Sequence, residues 1–311
     1  MSNRIVSLIA SATEIVHALG LGQELVGRSH ECDVPHEVQT LPVCSKPRID
    51  VHATSGEIDR QVRQSLTEAL SIYEVSAEEL NRLQPTHLLT QTQCDVCAVS
   101  LTDVQQALHG LVASQPTIVS HNAATLNGIW QDIQATADAL GVSERGAELV
   151  QSLTRRLQEI RDRVGEPPHR PRVVCMEWLQ PMMAAGNWTP ELIEIAGGIP
   201  LLAEAGKHSP GMEWGELVRT NPDVIVLAPC GFDIPRTISE LGVLFETPDW
   251  FELRAVRQGR VYLADGNQFF NRPGPRVVET AEVLFEILHD IGHNRPANRF
   301  HRTGWLRLEE C

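Results

Sequence analysis

The sequence predicts an α/β protein of two lobes with parallel sheets, joined by one long interdomain helix. Three observations point there. Apolar strand-like runs alternate with helix-period stretches along the chain, the pattern of parallel sheets. The string Glu-Leu-x-Arg-x-x-Pro-x-x plus an aliphatic pair occurs at Glu79 to Leu89 and again at Glu216 to Val226. Between the two copies lies a single uninterrupted amphipathic stretch, Ser143 to Val164. A repeat on either side of one helix predicts two similar lobes on a rigid spine.

The elements justify themselves in order. Arg4 to Leu8 reads as a first strand. Ser11-Ala12-Thr13-Glu14 is a capping-box pattern opening a helix that ends at Gly20 or Gly22. Leu25 to Arg28 is a short strand, and the polar run from Ser29 to Pro47 is an irregular loop. Ser55 to Leu70 has a helical stripe, and Ser76 to Glu79 caps the short helix of the first repeat. Thr86 to Thr90 is its strand. Ser100 caps a further helix, Thr117 to Ser120 is a strand, and Thr125 to Leu140 is a helix. In the spine, Ser143 is the expected N-cap, and Ala147, Val150, Leu153, Leu157, Ile160 and Val164 form one apolar stripe. Its length would be roughly 30 Å. Gly165 and three prolines within Pro167 to Pro171 stop it.

Beyond the spine, Arg172 to Glu177 is a strand and Trp178 to Thr189 a loop. Thr189-Pro190 starts a helix that Gly197-Gly198 ends. After the second repeat come helices near Pro235 to Leu244 and Asp249 to Ala255, a strand at Val261 to Ala264, and a loop from Asp265 to Pro275. A last helix carries Val277 to Leu288. The expected domains are 1–142, the spine 143–165, 166–292, and a basic tail 293–311 that is either loosely attached or packed across one lobe.

The 311 residues suffice for two domains with real cores, and 42% apolar content is typical of globular proteins. The 26 basic and 40 acidic residues give a net charge of −14, which argues against nucleic acid, whose phosphates need cations. No apolar run is long enough to span a membrane. The N-terminus lacks the order of a secretory signal, so a cytoplasmic location is expected, or a periplasmic one if an export segment has been removed. Seven cysteines leave at least one unpaired. The Gly-x-Ser-x-Gly elbow, the His-Glu-x-x-His helix, the phosphate-binding loop and the Gly-x-Gly-x-x-Gly fingerprint are all missing, so no enzyme is expected.

The opening Ile5-Val6-Ser7-Leu8 strand with Ala12-Thr13-Glu14, the proline-led strands and the single interdomain helix resemble the helical-spine class of ABC-importer substrate-binding proteins. Within it the sequence is similar to cobalamin-binding proteins, including a branch with Cys94-Asp95-Val96-Cys97-Ala98-Val99 and Ala228-Pro229-Cys230-Gly231-Phe232. The resemblance runs from Arg4 to about Gly292. It implies two Rossmann-like lobes of the class III fold, with cobalamin, another corrinoid or a related metal chelate held between them and no cofactor required. It also implies a monomer delivering its ligand to an ABC permease through acidic residues, with Glu216, Glu240 or Glu204 in the second lobe and Glu57 or Glu68 in the first as candidates.

Ligands of parallel sheets gather at the carboxyl ends of the strands, and the chemistry-bearing loops all follow strands. A corrinoid is flat and partly apolar, with amide arms. Trp178, Trp188, Phe232, Phe269 and Phe270 are candidate walls, some of them ordinary core; Glu177, Asn187, Asn267 and Arg272 are candidate rim partners. His30, Glu31 and Cys32 crowd the exit of one strand, either as ligands or as a polar turn. Cys94, Asp95 and Cys97 occupy a second exit, and Cys230 and Gly231 a third. Cys32, Cys94, Cys97 and Cys230 would together suit zinc or an iron–sulfur cluster. Alternatively one thiolate or His30 reaches an axial position on cobalt, or the thiols simply line the cleft. A cytosolic metal or iron–sulfur protein built on the same scaffold is therefore the second reading.

Overall fold

A computed structural model describes residues 3–67, 72–92, 104, 115–289 and 298–311. Two units divide the chain: 1–53, 57–153 and 273–275 form the first, and 54–56, 154–272 and 276–311 the second. The division falls between Leu153 and Thr154, inside the long helix rather than at its ends.

The first unit contains β1 (Ile5–Ser7), α1 (Ala10–Ala18), β2 (Leu25–Arg28), β3 (Ser45–Pro47), α2 (Ser55–Thr67, whose first two residues count with the second unit), β4 (Tyr73–Val75), α3 (Ala77–Leu83), β5 (His87–Gln91), β6 (Thr117–His121) and α4 (Leu126–Ala139). Its sheet has the order β2-β1-β5-β6, every neighbour parallel. Val6, Leu8, Leu80, Leu83 and Leu88 bury themselves in its core with Cys44, Ile72 and Tyr73. β3 and β4 form a separate antiparallel ribbon. The sequence concealed β3, because Ser45-Lys46-Pro47 has no apolar alternation to announce it.

Two expected caps are corrected. α1 starts at Ala10, directly off the strand, and Ile9 at its N-cap offers no side-chain cap. Ser11 is thereby inside the first turn, buried, and its hydroxyl has no partner among the described residues. The spine, α5 (Ser143–Val164), has its expected limits, but the Arg145 and Gly146 amides bond to Val142 O, so the cap position is Val142. The Ser143 hydroxyl instead bonds Asp138 and, with Gln134, holds that carboxyl below the usual carboxylate range. Leu153, Leu157 and Ile160 are buried as expected. Ala147 is exposed, and Gly146 takes the inward place.

The second unit contains β7 (Arg172–Trp178), β8 (Met183–Ala184), α6 (Thr189–Ile195), β9 (Ile199–Pro200), α7 (Trp214–Thr220), β10 (Val224–Leu227), α8 (Ile234–Ser239), α9 (Gly242–Phe245), α10 (Arg254–Arg257), β11 (Val261–Ala264), α11 (Val277–Leu288) and β12 (Trp305–Arg307). β7, β10 and β11 are parallel, β9 joins β7 in parallel, and β8 and β12 add antiparallel edges. The parallel strands β9-β7-β10-β11 thus match β2-β1-β5-β6 in order of connection. Of the two expectations for the tail, residues 298–311 follow the packed one. β12 pairs with β11, Trp305 Nε1 donates to Glu286 at 2.7 Å, and Phe300 meets Phe269 edge-on at 5.5 Å.

The sequence repeat is a repeat of geometry. Leu80 and Leu217 are fully buried. Gln84 and Asn221, each preceding a proline and so discouraged from continuing a helix, take left-handed φ values of 45° and 43°. Their amides return to Leu80 O at 3.0 Å and Leu217 O at 2.9 Å. The residue after each proline then clasps the neighbouring strand. Thr86 Oγ1 accepts from Arg4 N at 2.9 Å, and Asp223 Oδ2 accepts from Arg172 N at 2.9 Å. The registers agree as well, Ile5 facing His87 and Val173 facing Val224.

Candidate functional site

In each sheet the first crossover returns to one side of the opening strand and the next passes to the other side. The carboxyl ends of β1 and β5, and of β7 and β10, are therefore the topological switch points where open α/β sheets bind ligands. The described candidate residues after β2, β7, β10 and β11 stand on such edges.

In the second unit, Glu177 and Trp178 end β7. The Cys230 amide donates to Glu177 O at 2.9 Å, which fixes the β10 loop beside β7. Ser209 Oγ donates to Glu177 Oε2 at 2.7 Å and accepts from Gly186 N at 3.0 Å. Gly186 is required there, since a Cβ would stand 2.5 Å from Lys207 O. The Trp178 and Phe232 rings pack at 5.2 Å, and the Arg236 guanidinium lies 4.8 Å from the centroid of the Phe232 ring. Arg236 also pairs with Glu240 at 3.1 Å. Trp178 Nε1 donates to Gln180 O, so its indole is held while part of its surface stays open.

The other rings are placed differently. Trp188, Phe232, Phe269 and Phe270 are each 5% exposed or less, so all four are core rings rather than open wall, and Trp178 alone of the candidate rings is partly open. Phe269 is enclosed by Phe300 and by Arg276, 4.7 Å from its centroid. Asn267 and Arg272 serve one another: Arg272 Nε donates to Asn267 O at 2.7 Å, a terminal nitrogen donates to Asn267 Oδ1 at 3.0 Å, and Asn267 N donates to Phe232 O. Asn187, at φ 52°, bonds through its backbone to Lys207 and Gly206. Burial raises the Asp265 carboxyl above the usual range although it accepts from Gln268 N at 2.7 Å. These groups build the loop; they do not present a free rim.

In the first unit, His30, Glu31 and Cys32 follow β2. His30 Nδ1 meets Ser45 Oγ at 2.9 Å, and its ring lies 5.4 Å from Tyr73. Glu31 Oε1 stands 3.9 Å from His30 Nε2 and accepts from the Tyr73 hydroxyl at 3.5 Å. Cys32 is buried beneath them, its sulfur accepting from Thr13 Oγ1 at 3.0 Å. Cys94, Asp95 and Cys97 lie outside the described residues. Among those described, no group of three His, Cys, Asp or Glu side chains is placed to hold a metal ion, and no helix is long and apolar enough to cross a membrane.

Sequence reasoning missed Ser209, Arg236, Ser45 and Tyr73, which position the candidate residues from distant elements. Only Tyr73 carried any signal, as one of two tyrosines in the chain. Among the docking acids, Glu240 is corrected. It is 6% exposed, paired with Arg236, and accepts from Ser55 N and Oγ at 3.1 and 2.8 Å, so it has no face for a partner. Glu204 is exposed and pairs with Lys207, Glu57 is exposed, and Glu68 lies outside the described residues.

The family model described as periplasmic binding protein matches residues 5–267. A vitamin B12-binding protein of Vibrio cholerae serotype O1 is 24% identical over 289 residues, covering 92% of this chain and 89% of the relative. The uncharacterized ABC transporter substrate-binding lipoprotein YvrC of Bacillus subtilis is 23% identical over 293 residues, covering 92% and 80%. Among solved structures, a periplasmic heme-binding protein from Pseudomonas aeruginosa superposes with a TM-score of 0.71 at 18% identity over 96% of each chain. The periplasmic vitamin B12-binding protein BtuF of Vibrio cholerae gives 0.64 at 20% identity over 92% and 96%. These likenesses establish the fold, the two-lobed class III architecture expected from the sequence. The relatives are periplasmic or lipoprotein binding proteins by name, and they lend nothing to a cytoplasmic location.

Proposed function

The chain belongs to the periplasmic binding protein family, and from that premise we propose that it binds a corrinoid such as cobalamin, or a related metal chelate, without catalysis, as the substrate-binding component of an ABC-type uptake system. The observation that carries the reading is the carboxyl edge of the second sheet. There the half-open Trp178 indole is backed by Phe232, and the Glu177 carboxylate beside it is oriented by Ser209. A flat apolar wall with an oriented hydrogen-bond acceptor suits the face and the amide arms of a corrin. The vitamin B12-binding relative supports the same ligand class. Glu177, Trp178, Cys230 and Gly231 act at this edge, and Phe232, Asn267, Arg272, Asn187, Trp188, Phe269 and Phe270 support it. His30 and Glu31 act at the edge of the first sheet, with Cys32 buried beside them; Cys94, Asp95 and Cys97, outside the described residues, are further candidates. The working location is periplasmic.

Docking onto a permease falls to Glu216 and, by the repeat, to Glu79. Each is the third residue of its helix, α7 and α3. Reversing both charges should abolish corrinoid uptake by cells while leaving ligand binding intact. The test of the function itself is an absorption titration of the purified protein with cobalamin. A saturable shift of the corrin bands is expected. An unchanged spectrum together with no retention of cobalamin in equilibrium dialysis would overturn the reading, and charge-transfer bands of a metal–thiolate centre would favour the cysteine-based alternative.

A further inference from the structure

His30 stands just past the carboxyl end of β2, where its ring is hydrogen-bonded through one nitrogen. Ser45 Oγ accepts from His30 N at 3.3 Å, meets His30 Nδ1 at 2.9 Å, and donates its own proton to Ser29 Oγ at 3.2 Å. With that hydroxyl proton directed to Ser29, the arrangement favours the tautomer that carries hydrogen on Nδ1 and a lone pair on Nε2. Nε2 is buried and has no hydrogen-bond partner among the described residues. Buried nitrogens of this kind are rare unless something else engages them. A histidine hydrogen-bonded through one ring nitrogen, with no hydrogen bond at the other, is the arrangement that prepares imidazole to ligate a metal. Burial, with Arg28 nearby, draws the ring's pKa down to about 4, so the lone pair persists at neutral pH.

We propose that His30 Nε2 is an axial ligand to the metal of the bound chelate, an assignment that rests on the corrinoid reading above. The step is a ligand exchange: the lone pair of Nε2 forms a cobalt–nitrogen bond, a cobalt-bound water leaves, and neither proton nor electron is transferred. The group nearest Nε2 is the Glu31 carboxylate at 3.9 Å, whose side chain is 35% exposed and has to move aside for a metal to reach the nitrogen. Its backbone stays in place, because Glu31 N donates to Ser29 Oγ at 3.2 Å.

The probe is diaquocobinamide, which lacks a base of its own and carries exchangeable water on cobalt. Bound to the wild-type protein it should take on the spectrum of an imidazole-ligated corrinoid. His30→Ala should still bind, about 10-fold more weakly or worse, with the aquo spectrum, and added imidazole should restore the ligated one. Ser45→Ala, which frees the ring to rotate, should weaken the ligated form by a factor on the order of 10. Glu31→Ala, which removes the carboxylate nearest Nε2, should speed the exchange. Binding by the wild type with an unshifted spectrum, or a shift that survives His30→Ala, overturns the assignment and leaves the corrinoid reading standing. Failure of both cobinamide and cobalamin to bind overturns that reading, and the assignment falls with it.

Discussion

Asp223 is the residue on which the equivalence of the two units can be tested most sharply. Its side chain is 9% exposed, accepts from Arg172 N at 2.9 Å, and pairs with Arg254 at 2.7 Å. Asp223→Ala removes a charge-assisted hydrogen bond and leaves a backbone amide unpaired, each worth about 1–3 kcal/mol. The Arg254 pair adds under about 1 kcal/mol, because that arginine is 46% exposed and screened. A net loss of about 3 kcal/mol follows, which would lower the melting temperature of the second unit by roughly 6–12 °C. In the first unit Thr86 fills the same place and accepts from Arg4 N, so Asp223→Thr should recover more than half of the loss. Differential scanning calorimetry of the three proteins decides it. A threonine variant no more stable than the alanine one would refute the claim that the two clasps are interchangeable. The pH dependence gives a second check. Burial pushes the Asp223 carboxyl up, but the Arg172 amide and Arg254 outweigh it and the net shift is downward. The stabilisation is therefore complete above the unfolded carboxyl's pKa near 3.8 and is lost as pH falls through the lower folded value; Asp223→Ala should flatten the acid limb of the stability curve.

Gly146→Ala should destabilise the protein by about 1–3 kcal/mol in denaturant unfolding, because the new Cβ would stand 2.5 Å from the Ala137 methyl; Ala137→Gly in the same chain should restore stability. His121 is fully buried, and burial lowers its pKa from 6.5 to about 4. The unfolded chain takes up that proton first, so stability should fall as pH drops from 6.5 toward 4, by roughly 3 kcal/mol in total, and His121→Asn should lose that slope in urea titrations at stepped pH. Trp178→Ala should weaken cobalamin binding roughly 10-fold, about 1.4 kcal/mol, with little change in melting temperature because the indole is only partly buried; affinity within twofold of wild type would remove Trp178 from the site.

The fold was legible where a backbone decision and an apolar period coincide. At Gln84-Pro85 and Asn221-Pro222 a proline forces the helix to stop, the preceding residue turns left-handed, and a buried strand begins at once. A string of residues therefore encodes a three-dimensional unit twice. The spine was legible for the same reason, its stripe bounded by Gly165 and the prolines. What failed was finer. Ser11 and Ser143 carry capping chemistry, but the chain enters each helix one residue earlier, from Ala10 and through Val142, and no local signal distinguishes those starts. Ala147 follows the helical period, yet the inward place belongs to Gly146 because α4 approaches too closely for a side chain.

The site divides along a similar line. Its location was readable, because parallel strands send their loops to one edge, and His30, Glu177, Trp178 and Cys230 all follow strands. Which of its residues face a ligand was not readable, because that depends on partners remote in sequence. Phe232 and Phe269 look like open walls as loop phenylalanines, but each is 5% exposed: Trp178 and Arg236 cover the first, and Phe300, 31 positions beyond Phe269, encloses the second. Asn267 and Arg272 look like free polar groups until they are seen bonding each other. His30 is the converse case. Among Glu31, Cys32 and Asp33 it looks like one more polar loop residue, and only Ser45, on a strand the sequence did not announce, engages its Nδ1 at 2.9 Å. Where a ligand binds is thus written in strand order, and how it is held is written in pairs of residues that the fold brings together.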